Sequence, residues 1–272
     1  MINTNMSYII HRTDQNNVGD WWSRPSHYYP INETQIIDIS NVQQYRNLEN
    51  KTVVLGGGGL LGKLHWDFNL KNLVENNRVI LWGAGLNFTP LGKKGGQPLS
   101  NSGLPAYLDK MTAVGLRDYG LGYDWVPCAS CMHDEVFGVQ DVAQTKDVLV
   151  VQHKKIKMKS ESLKKYRKLR MGQEVGNLKS ILTEIKRHST IITNSYHGAY
   201  WGTILKKKVI VQPWGTKFNH LKWKVPFLNE DFSNLDYCMD TATVYPHAWE
   251  EALHANHQFW LKHKLLVASA GL

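Results

Sequence analysis

Residues 193–200 (TNSYHGAY) have the types and spacing best suited to chemistry. They follow the apolar pair Ile191-Ile192 and precede an apolar stretch over 199–205, which predicts a strand, a tight polar turn and a helix. The turn places Ser195 and His197 at a helix N-terminus, where unpaired N–H groups and the helix dipole attract anions. An imidazole there is suited to proton transfer beside a phosphate or carboxylate. A buried, hydrogen-bonded histidine at a helix start explains the same residues equally well.

A second candidate is the turn Asn17-Val18-Gly19-Asp20, which follows the first predicted strand. A glycine turn at that point lies at the carboxyl edge of an open sheet, where such folds bind ligands. Asp20 is suited to act there as a base or to accept a hydrogen bond from a sugar hydroxyl. It is equally suited to cap a helix.

The glycine-rich residues 54–63 (VLGGGGLLGK) formally match a dinucleotide fingerprint and most of a P-loop. Leu64 stands where a P-loop needs Ser or Thr, and the glycines do not follow the first strand. Both matches are therefore weak. Four consecutive glycines after a strand predict a loop whose backbone approaches an anion or a sugar closely.

Several cations follow predicted strands. Arg117 precedes Asp118 and is suited either to bidentate binding of a phosphate or to a surface ion pair. Lys217 follows the strand at 209–211 and would neutralise a phosphate or lie in solvent. The basic run over 154–170 predicts a solvated, mobile segment, with an anionic surface partner as the alternative.

The segment Cys128-Ala129-Ser130-Cys131-Met132-His133 leaves three interpretations open. It is half of a zinc site, a redox pair, or a loop that lines a cleft between domains. A structural zinc site needs a second pair of ligands, and Cys238 stands alone. The cleft loop is therefore the favoured interpretation.

The elements that must position these residues form an alternating pattern. Short apolar runs at 8–10, 36–39, 52–55, 79–82 and 113–116 are spaced for crossover helices, which predicts a parallel α/β sheet. A polar linker at 138–147 precedes a smaller α/β unit. Its predicted elements are strands at 148–151, 190–193 and 209–211 and helices at about 175–187 and 199–205. A last helix is predicted from about Trp249 to Val267.

Composition limits the class of protein. The chain of 272 residues is 42% hydrophobic, which excludes a disordered protein. No apolar run or N-terminal pattern predicts a membrane span or signal peptide, so we expect a cytoplasmic location. The net charge of +9 comes from residues 141–272, which hold 21 basic and 11 acidic residues. A nucleic acid, an anionic membrane surface or a phosphorylated substrate would each account for it.

Taken in order over roughly residues 14–220, these motifs resemble the polysaccharide pyruvyl transferase family. Its members are similar in having an Asn-x-Gly-Asp turn, a glycine-rich loop, an Arg-Asp pair, a Ser/Arg-x-His helix start and a later lysine. Many members carry Arg-Leu-His where this chain has Ser195-Tyr196-His197. Other cations must then replace that arginine, and the candidates are Arg117, Lys217 and the pair His153-Lys154.

The resemblance implies an α/β fold with two facing Rossmann-like domains, similar to GT-B glycosyltransferases, and a C-terminal helix. The implied domains are 1–140 on the acceptor side, a smaller domain 147–245 on the phosphoenolpyruvate side, and the helix 246–272. The implied reaction moves the pyruvyl group of phosphoenolpyruvate onto two hydroxyls of a sugar in a cell-surface polysaccharide or its precursor. Phosphoenolpyruvate is the donor, with no cofactor and no metal.

The resemblance also implies the roles of the site residues. His197 is the catalytic acid, as an imidazolium whose pKa neighbouring anions raise, and Asp20 is the base on the acceptor hydroxyl. The implied substrate-binding residues are Asn17, Gly57, Gly58, Gly59, Arg117, His153, Lys154, Asn194, Ser195 and Lys217.

Two other functions stay open at this point. A GT-B-like glycosyltransferase with a nucleotide-sugar donor would share the fold. A non-catalytic protein that binds an anionic surface or a nucleic acid would explain the basic half. Because no nucleic-acid-binding module is recognisable, we expect a saccharide acceptor instead, lipid-linked or at the inner membrane face.

Overall fold

A computed structural model describes residues 7–62, 64–87, 104–172 and 177–267. Its larger sheet has six strands, all parallel, in the order β2-β1-β3-β4-β5-β6. The strands are β1 (Ser7–His11), β2 (Glu33–Asp38), β3 (Thr52–Leu61), β4 (Arg78–Leu86), β5 (Ala113–Leu116) and β6 (Asp124–Trp125). The chain reverses its direction of winding between β1 and β3. That reversal opens a crevice at the carboxyl ends of these strands.

The smaller sheet has four strands, also parallel, in the order β10-β9-β7-β8. The strands are β7 (Lys146–Gln152), β8 (Arg167–Arg170), β9 (His188–Thr193) and β10 (Lys208–Val211). Here the winding reverses between β7 and β9. This sheet therefore has its own crevice at the carboxyl ends of those two strands.

Seven α-helices accompany the sheets within the described residues. They are α1 (Val18–Trp21), α2 (Leu64–Asn76), α3 (Asp134–Gly138), α4 (Leu178–Arg187), α5 (Tyr196–Ile204), α6 (Leu235–Thr241) and α7 (Ala248–Val267). The last helix begins in the apolar cluster that covers the smaller sheet, through Ala248 and Ala252. It ends in a cluster on the larger sheet, through Phe259, Trp260 and Val267. One helix thus contributes to both cores.

The predicted α/β class with parallel sheets is confirmed. The strands expected at 8–10, 113–116, 148–151, 190–193 and 209–211 are present with bounds that differ by no more than two residues. Apolar runs of this length, rich in Val and Ile, are typical of strands buried on both faces. The helices expected at 175–187 and 249–267 are present as α4 and α7. The domain boundaries at 140, 147 and 245 stay a prediction.

The prediction of a glycine-rich loop is wrong, because Gly56, Gly57, Gly58 and Gly59 lie within strand β3. The segment after α1 crosses directly over this strand. A Cβ at Gly56 would lie 2.6 Å from Pro25, and one at Gly57 would lie 2.3 Å from the carbonyl oxygen of Ser23. The glycines therefore serve a close approach of backbone to backbone, and Gly57 has a positive φ of 66°.

The prediction of a solvated, mobile segment over 154–170 is wrong for its last four residues. Its last part forms β8, which pairs with β7 from Leu149↔Arg167 to Gln152↔Arg170. The sequence Arg167-Lys168-Leu169-Arg170 lacks an apolar run because β8 is an edge strand whose charged side chains face solvent. Charged edge strands are common, since they discourage pairing with other chains.

We also searched the described helices for one that could cross a bilayer. None is both long enough and apolar enough.

Candidate active site

The two crevices open onto one cavity. On the side of the larger sheet its lining comes from Gly59 of β3 and from the segments after β1, β4 and β5. On the side of the smaller sheet it comes from the segments after all four strands. The cavity encloses about 510 Å³ including its open mouth. The carboxyl ends of strands at such reversals are where open α/β sheets bind ligands, so this cavity is the candidate active site.

Most of the residues singled out in the sequence line this cavity. They are Asn17, Asp20, Gly59, Arg117, His153, Lys154, Ser195, His197 and Lys217. Gly57, Gly58 and Asn194 do not. Four lining residues carry no sequence pattern that marks them, namely Asn87, Met171, Tyr196 and Trp214. For Asn87 and Trp214, the only signal that could have identified them is that each follows the end of a strand.

His197 lies in the first turn of α5, as the turn pattern predicted. Ser195 is the N-cap of this helix, and its Oγ accepts a hydrogen bond from the backbone N–H of Gly198 at 3.5 Å. The imidazole is only 6% exposed. Its Nε2 lies 3.5 Å from Sγ of Cys128, and its Nδ1 faces Gly19 of α1. The ring is therefore held between the two sides of the cavity.

The surroundings of His197 keep the ring neutral near pH 7. Burial, followed by the charges of Arg117 and Lys217, lowers the pKa of His197 to about 3. The expected pKa increase relied on neighbouring anions, whereas the charged groups that shift this pKa are cations. Those same cations attract an anionic ligand, and such a ligand would reverse the shift.

Arg117 is the most buried cation of the cavity, with 5% exposure. Its Cζ lies 3.9 Å from the centre of the Tyr196 ring, and Nη2 donates to the carbonyl oxygen of Leu86 at 3.2 Å. Within the described residues its Nε has no hydrogen-bond partner. A buried guanidinium with an unused donor is suited to hold an oxyanion.

Lys217 and Lys154 approach the cavity from the smaller sheet. Lys217 is 7% exposed, and its Nζ lies 3.8 Å from the centre of the Trp214 ring. Its predicted alternative as a solvated loop lysine is thereby wrong. Lys154 forms an ion pair with Asp14, which lies in the loop after β1. This ion pair joins the two sides of the cavity.

His153 presents a defined hydrogen-bond donor. Its Nδ1 accepts from the backbone N–H groups of Lys155 at 3.2 Å and Ile156 at 3.3 Å, which assigns the proton to Nε2. Burial and the charges of Lys217 and Lys154 lower its pKa to about 4. Asn194 does not line the cavity but supports this loop, and its role in substrate binding stays a prediction. Its Oδ1 accepts from the backbone N–H of His153 at 2.7 Å.

Asp20 and Asn17 form the side of the cavity next to the larger sheet. The Asn17 amide donates to Oδ2 of Asp20 at 2.5 Å. A Cβ at Gly58 would lie 3.4 Å from Oδ1 of Asp20, so this glycine lies beneath the carboxylate. Gly57 thus makes room for the segment at Ser23, whereas Gly58 is favoured by its positive φ of 79°. Only Gly59 reaches the cavity, next to Asn87.

The Cys-x-x-Cys segment lies behind the site. Cys128 and Cys131 are buried free thiols; Cys128 is the N-cap of a 3-10 turn (Ala129–Met132), and Cys131 lies within it. Tyr200 and Trp201 of α5 donate to this turn, at the carbonyl oxygen of Cys128 and at Oγ of Ser130. Within the part of the chain that the structure describes, no group of three His, Cys, Asp or Glu could hold a metal ion. The turn supports α5 and does not line the cavity.

The fold and site define an α/β protein with two parallel sheets and a cationic cavity at their carboxyl edges. The chain belongs to the polysaccharide pyruvyl transferase family, since the model of that family matches residues 6–215. The match includes every residue that lines the cavity except Lys217. A comparison with curated proteins gave no match.

Proposed function

We propose that this protein transfers the pyruvyl group of phosphoenolpyruvate onto two hydroxyls of a saccharide acceptor and so forms a pyruvate ketal. Membership of the family supports a pyruvyl transferase that acts on polysaccharides. The observation that carries the finer proposal is that one cavity joins His197 and Lys217, which follow strands of the smaller sheet, with Arg117, Asp20 and Asn17, which follow strands of the larger sheet. An acid, two cations and a carboxylate are the groups that this reaction needs.

The donor's anionic groups belong, in this proposal, next to the cations. Arg117 and Lys217 are nearly buried, so their attraction for a phosphate or carboxylate is little weakened by solvent. The N-terminus of α5, capped by Ser195, adds a positive dipole. His153 Nε2–H and Lys154 supply further donors where relatives often hold an arginine before the histidine.

The acid in this mechanism is His197. A phosphate held by Arg117 and Lys217 raises the pKa of His197, which takes up a proton and then delivers it to the methylene carbon of phosphoenolpyruvate. The methylene becomes a methyl group, and positive charge develops on the carbon that bears the phosphate. The two cations stabilise the leaving phosphate.

Asp20 acts as the base on the acceptor. It accepts the proton of the first sugar hydroxyl while that oxygen bonds to the cationic carbon. The C–O bond to phosphate then breaks, and the second hydroxyl closes the ketal at the same carbon. Of the two hydroxyl protons, one replaces the proton used on the methyl group and the other leaves with the phosphate, so the reaction balances.

The two sheets fit the finer fold assignment as well. We propose that they belong to two facing Rossmann-like domains, in the manner of GT-B glycosyltransferases. Two separate crevices that share one cavity support this arrangement.

The decisive experiment measures phosphate released from phosphoenolpyruvate with and without a panel of saccharides. We expect release that depends on an acceptor and survives treatment with EDTA, because Arg117 and Lys217 supply the positive charge. His197→Ala should lower the rate about 10²- to 10⁴-fold. His257→Ala, at an exposed position of α7, is the matched control. Release of nucleotide from a nucleotide sugar, with none from phosphoenolpyruvate, would show a glycosyltransferase instead.

A further inference from the structure

A second concave surface lies one strand away from the candidate active site. We call it the basic groove. It encloses about 1060 Å³ including its open mouth. Its lining residues are Gln152, Lys157, Met158, Lys159, Ser160, Glu161, Lys164, Lys168 and Arg170. It therefore contains five cations and one carboxylate.

Four of the five cations are available to a ligand. Lys164 pairs with Glu161 at 2.7 Å. Lys157, Lys159, Lys168 and Arg170 are exposed, and none of them forms an ion pair with another described residue. Four such charges around one groove repel one another, so an anionic ligand that binds them relieves an unfavourable interaction.

The basic groove and the cavity meet at the carboxyl ends of β7 and β8. Gln152 and Arg170 are partners at the carboxyl ends of β7 and β8, and both line the groove. The next residue on each strand, His153 and Met171, lines the cavity. The Met171 N–H donates to the carbonyl oxygen of Gln152 at 2.9 Å, which holds the two segments together. A chain-like ligand that leaves the cavity past the ends of β7 and β8 would therefore reach the groove within one residue of either strand.

We infer that the basic groove binds an anionic segment of the acceptor, with carboxylate or phosphate groups near the sugar that receives the pyruvyl group. This inference rests on the proposed function for the identity of the ligand as an acceptor. The acceptor is then a charged glycan, and the groove selects it over neutral sugars.

The composition of the groove favours such a glycan over a membrane or a nucleic acid. No large exposed hydrophobic side chain lies between residues 152 and 170, so the surface has no group to insert into a bilayer. No aromatic residue lines the groove, whereas single-stranded nucleic acids are bound by stacking on aromatic rings. Carboxylates or phosphates along a flexible glycan need only the cations.

A binding experiment without phosphoenolpyruvate tests the inference. The probes are an oligogalacturonate for carboxylates, a polyphosphate for phosphates, a neutral dextran oligosaccharide and vesicles of phosphatidylglycerol. The test variant replaces Lys157, Lys159, Lys168 and Arg170 by Gln. The control variant replaces Arg46, Lys51, Lys71 and Lys208 by Gln. These residues are also exposed and without an ion pair to a described residue. Both variants lose the same charge.

We expect the natural protein to bind the oligogalacturonate or the polyphosphate, with an affinity that falls as salt rises, and not to bind dextran. The groove variant should raise Kd about tenfold or more, since each exposed contact contributes a modest share. The control variant should change Kd by less than about threefold. The double variant K157Q/K159Q leaves β8 unchanged and should give an intermediate effect.

Three results would overturn the inference. The first is an equal loss of affinity for the charged polymers in the groove variant and the control variant. The second is tight binding to vesicles alone, and the third is no binding to either charged polymer. Failure of the proposed function is separate, because it concerns phosphate release from phosphoenolpyruvate. Groove-dependent binding without that release would show a glycan-binding site on a protein with another activity.

Discussion

A Cβ on Gly19 would lie 2.1 Å from Nδ1 of His197, so the backbone of one side of the cavity touches the imidazole of the other. This contact explains why the turn Asn17-Val18-Gly19-Asp20 has glycine as its third residue. The φ of Gly19 is not in the left-handed region, so space and not backbone conformation excludes a larger residue.

Gly19→Ala should therefore disable the site. The added methyl group must displace either His197 or the α1 turn that carries Asp20, and a shift of this size costs about 100-fold in rate. The measurement is phosphate release from phosphoenolpyruvate, with thermal unfolding as a check on folding. The control is Gly138→Ala, where the nearest atom to the new Cβ is 4.0 Å away. Normal activity in folded Gly19→Ala would show that the ring and the turn need not touch.

Donor binding should be accompanied by proton uptake at His197. Without a ligand its pKa of about 3 leaves the imidazole neutral, since burial and two cations disfavour the charge. A phosphate at Arg117 and Lys217 raises that pKa. Calorimetry of phosphoenolpyruvate binding in buffers of different ionisation enthalpy near neutral pH should show uptake that disappears in His197→Ala. Identical uptake in the variant would place the acid elsewhere.

Cys128 should act as a positioning residue for His197. Its Sγ lies 3.5 Å from Nε2, and burial raises the pKa of this thiol, so it stays neutral. We expect Cys128→Ala to lower kcat about tenfold and to shift the pH profile, and Cys128→Ser to restore much of both. Cys238→Ala, at another buried thiol, is the control. A change in stability with an unchanged pH profile in Cys128→Ala would reduce this thiol to a packing role.

Acid should destabilise the protein through His11, which is 1% exposed at the end of β1. Burial, with the charges of Arg24 and His27, lowers its pKa from 6.5 to about 3. Between these values the unfolded chain binds a proton that the folded chain does not, so stability falls as the pH falls.

From about pH 7.5 to about pH 5, this one group removes about 2 kcal/mol from the free energy of unfolding. Methionine does not titrate. Over the same pH range, the free energy of unfolding of His11→Met, measured by denaturant titration, should therefore fall by about 2 kcal/mol less than that of the natural protein. The control is His257→Met, an exposed histidine, which should behave like the natural protein. Equal pH dependence in all three proteins would contradict the burial argument.

The sequence predicted those parts of the fold that depend on local pattern. Val209, Ile210 and Val211 form a strand because β-branched side chains suit a strand buried on both faces. Sequence-based prediction failed where the local structure depends on a contact with residues distant in the sequence. No pattern in the sequence near Gly57 indicates that Ser23 crosses over it. Arg167 is part of a strand because it pairs with Leu149 of β7.

In the candidate site, too, the sequence predicted what depends on position along the chain and did not predict what depends on contacts between distant residues. His197, Arg117 and Lys217 follow β9, β5 and β10, so topology brings them to the carboxyl edges of the two sheets. The direction of the pKa shift of His197 was not predictable, because its largest cause is burial, which depends on the side chains from separate strands that lie next to the ring. Tyr196 was missed for a related reason, since its place under Arg117 is visible only in three dimensions.

Helix α7 lies beyond residue 215, where the family match ends, yet it fills the cores of both sheets. Asn256 in its middle accepts a hydrogen bond from the buried indole of Trp82 at 2.9 Å and donates to the carbonyl oxygen of Pro127 at 3.2 Å. The segment that the family model matches is thus an incomplete folding unit in this chain. A fragment that ends at residue 215 would expose the apolar surface that α7 covers on each sheet, and it would aggregate. In the full chain, the two sheets should melt in a single cooperative transition.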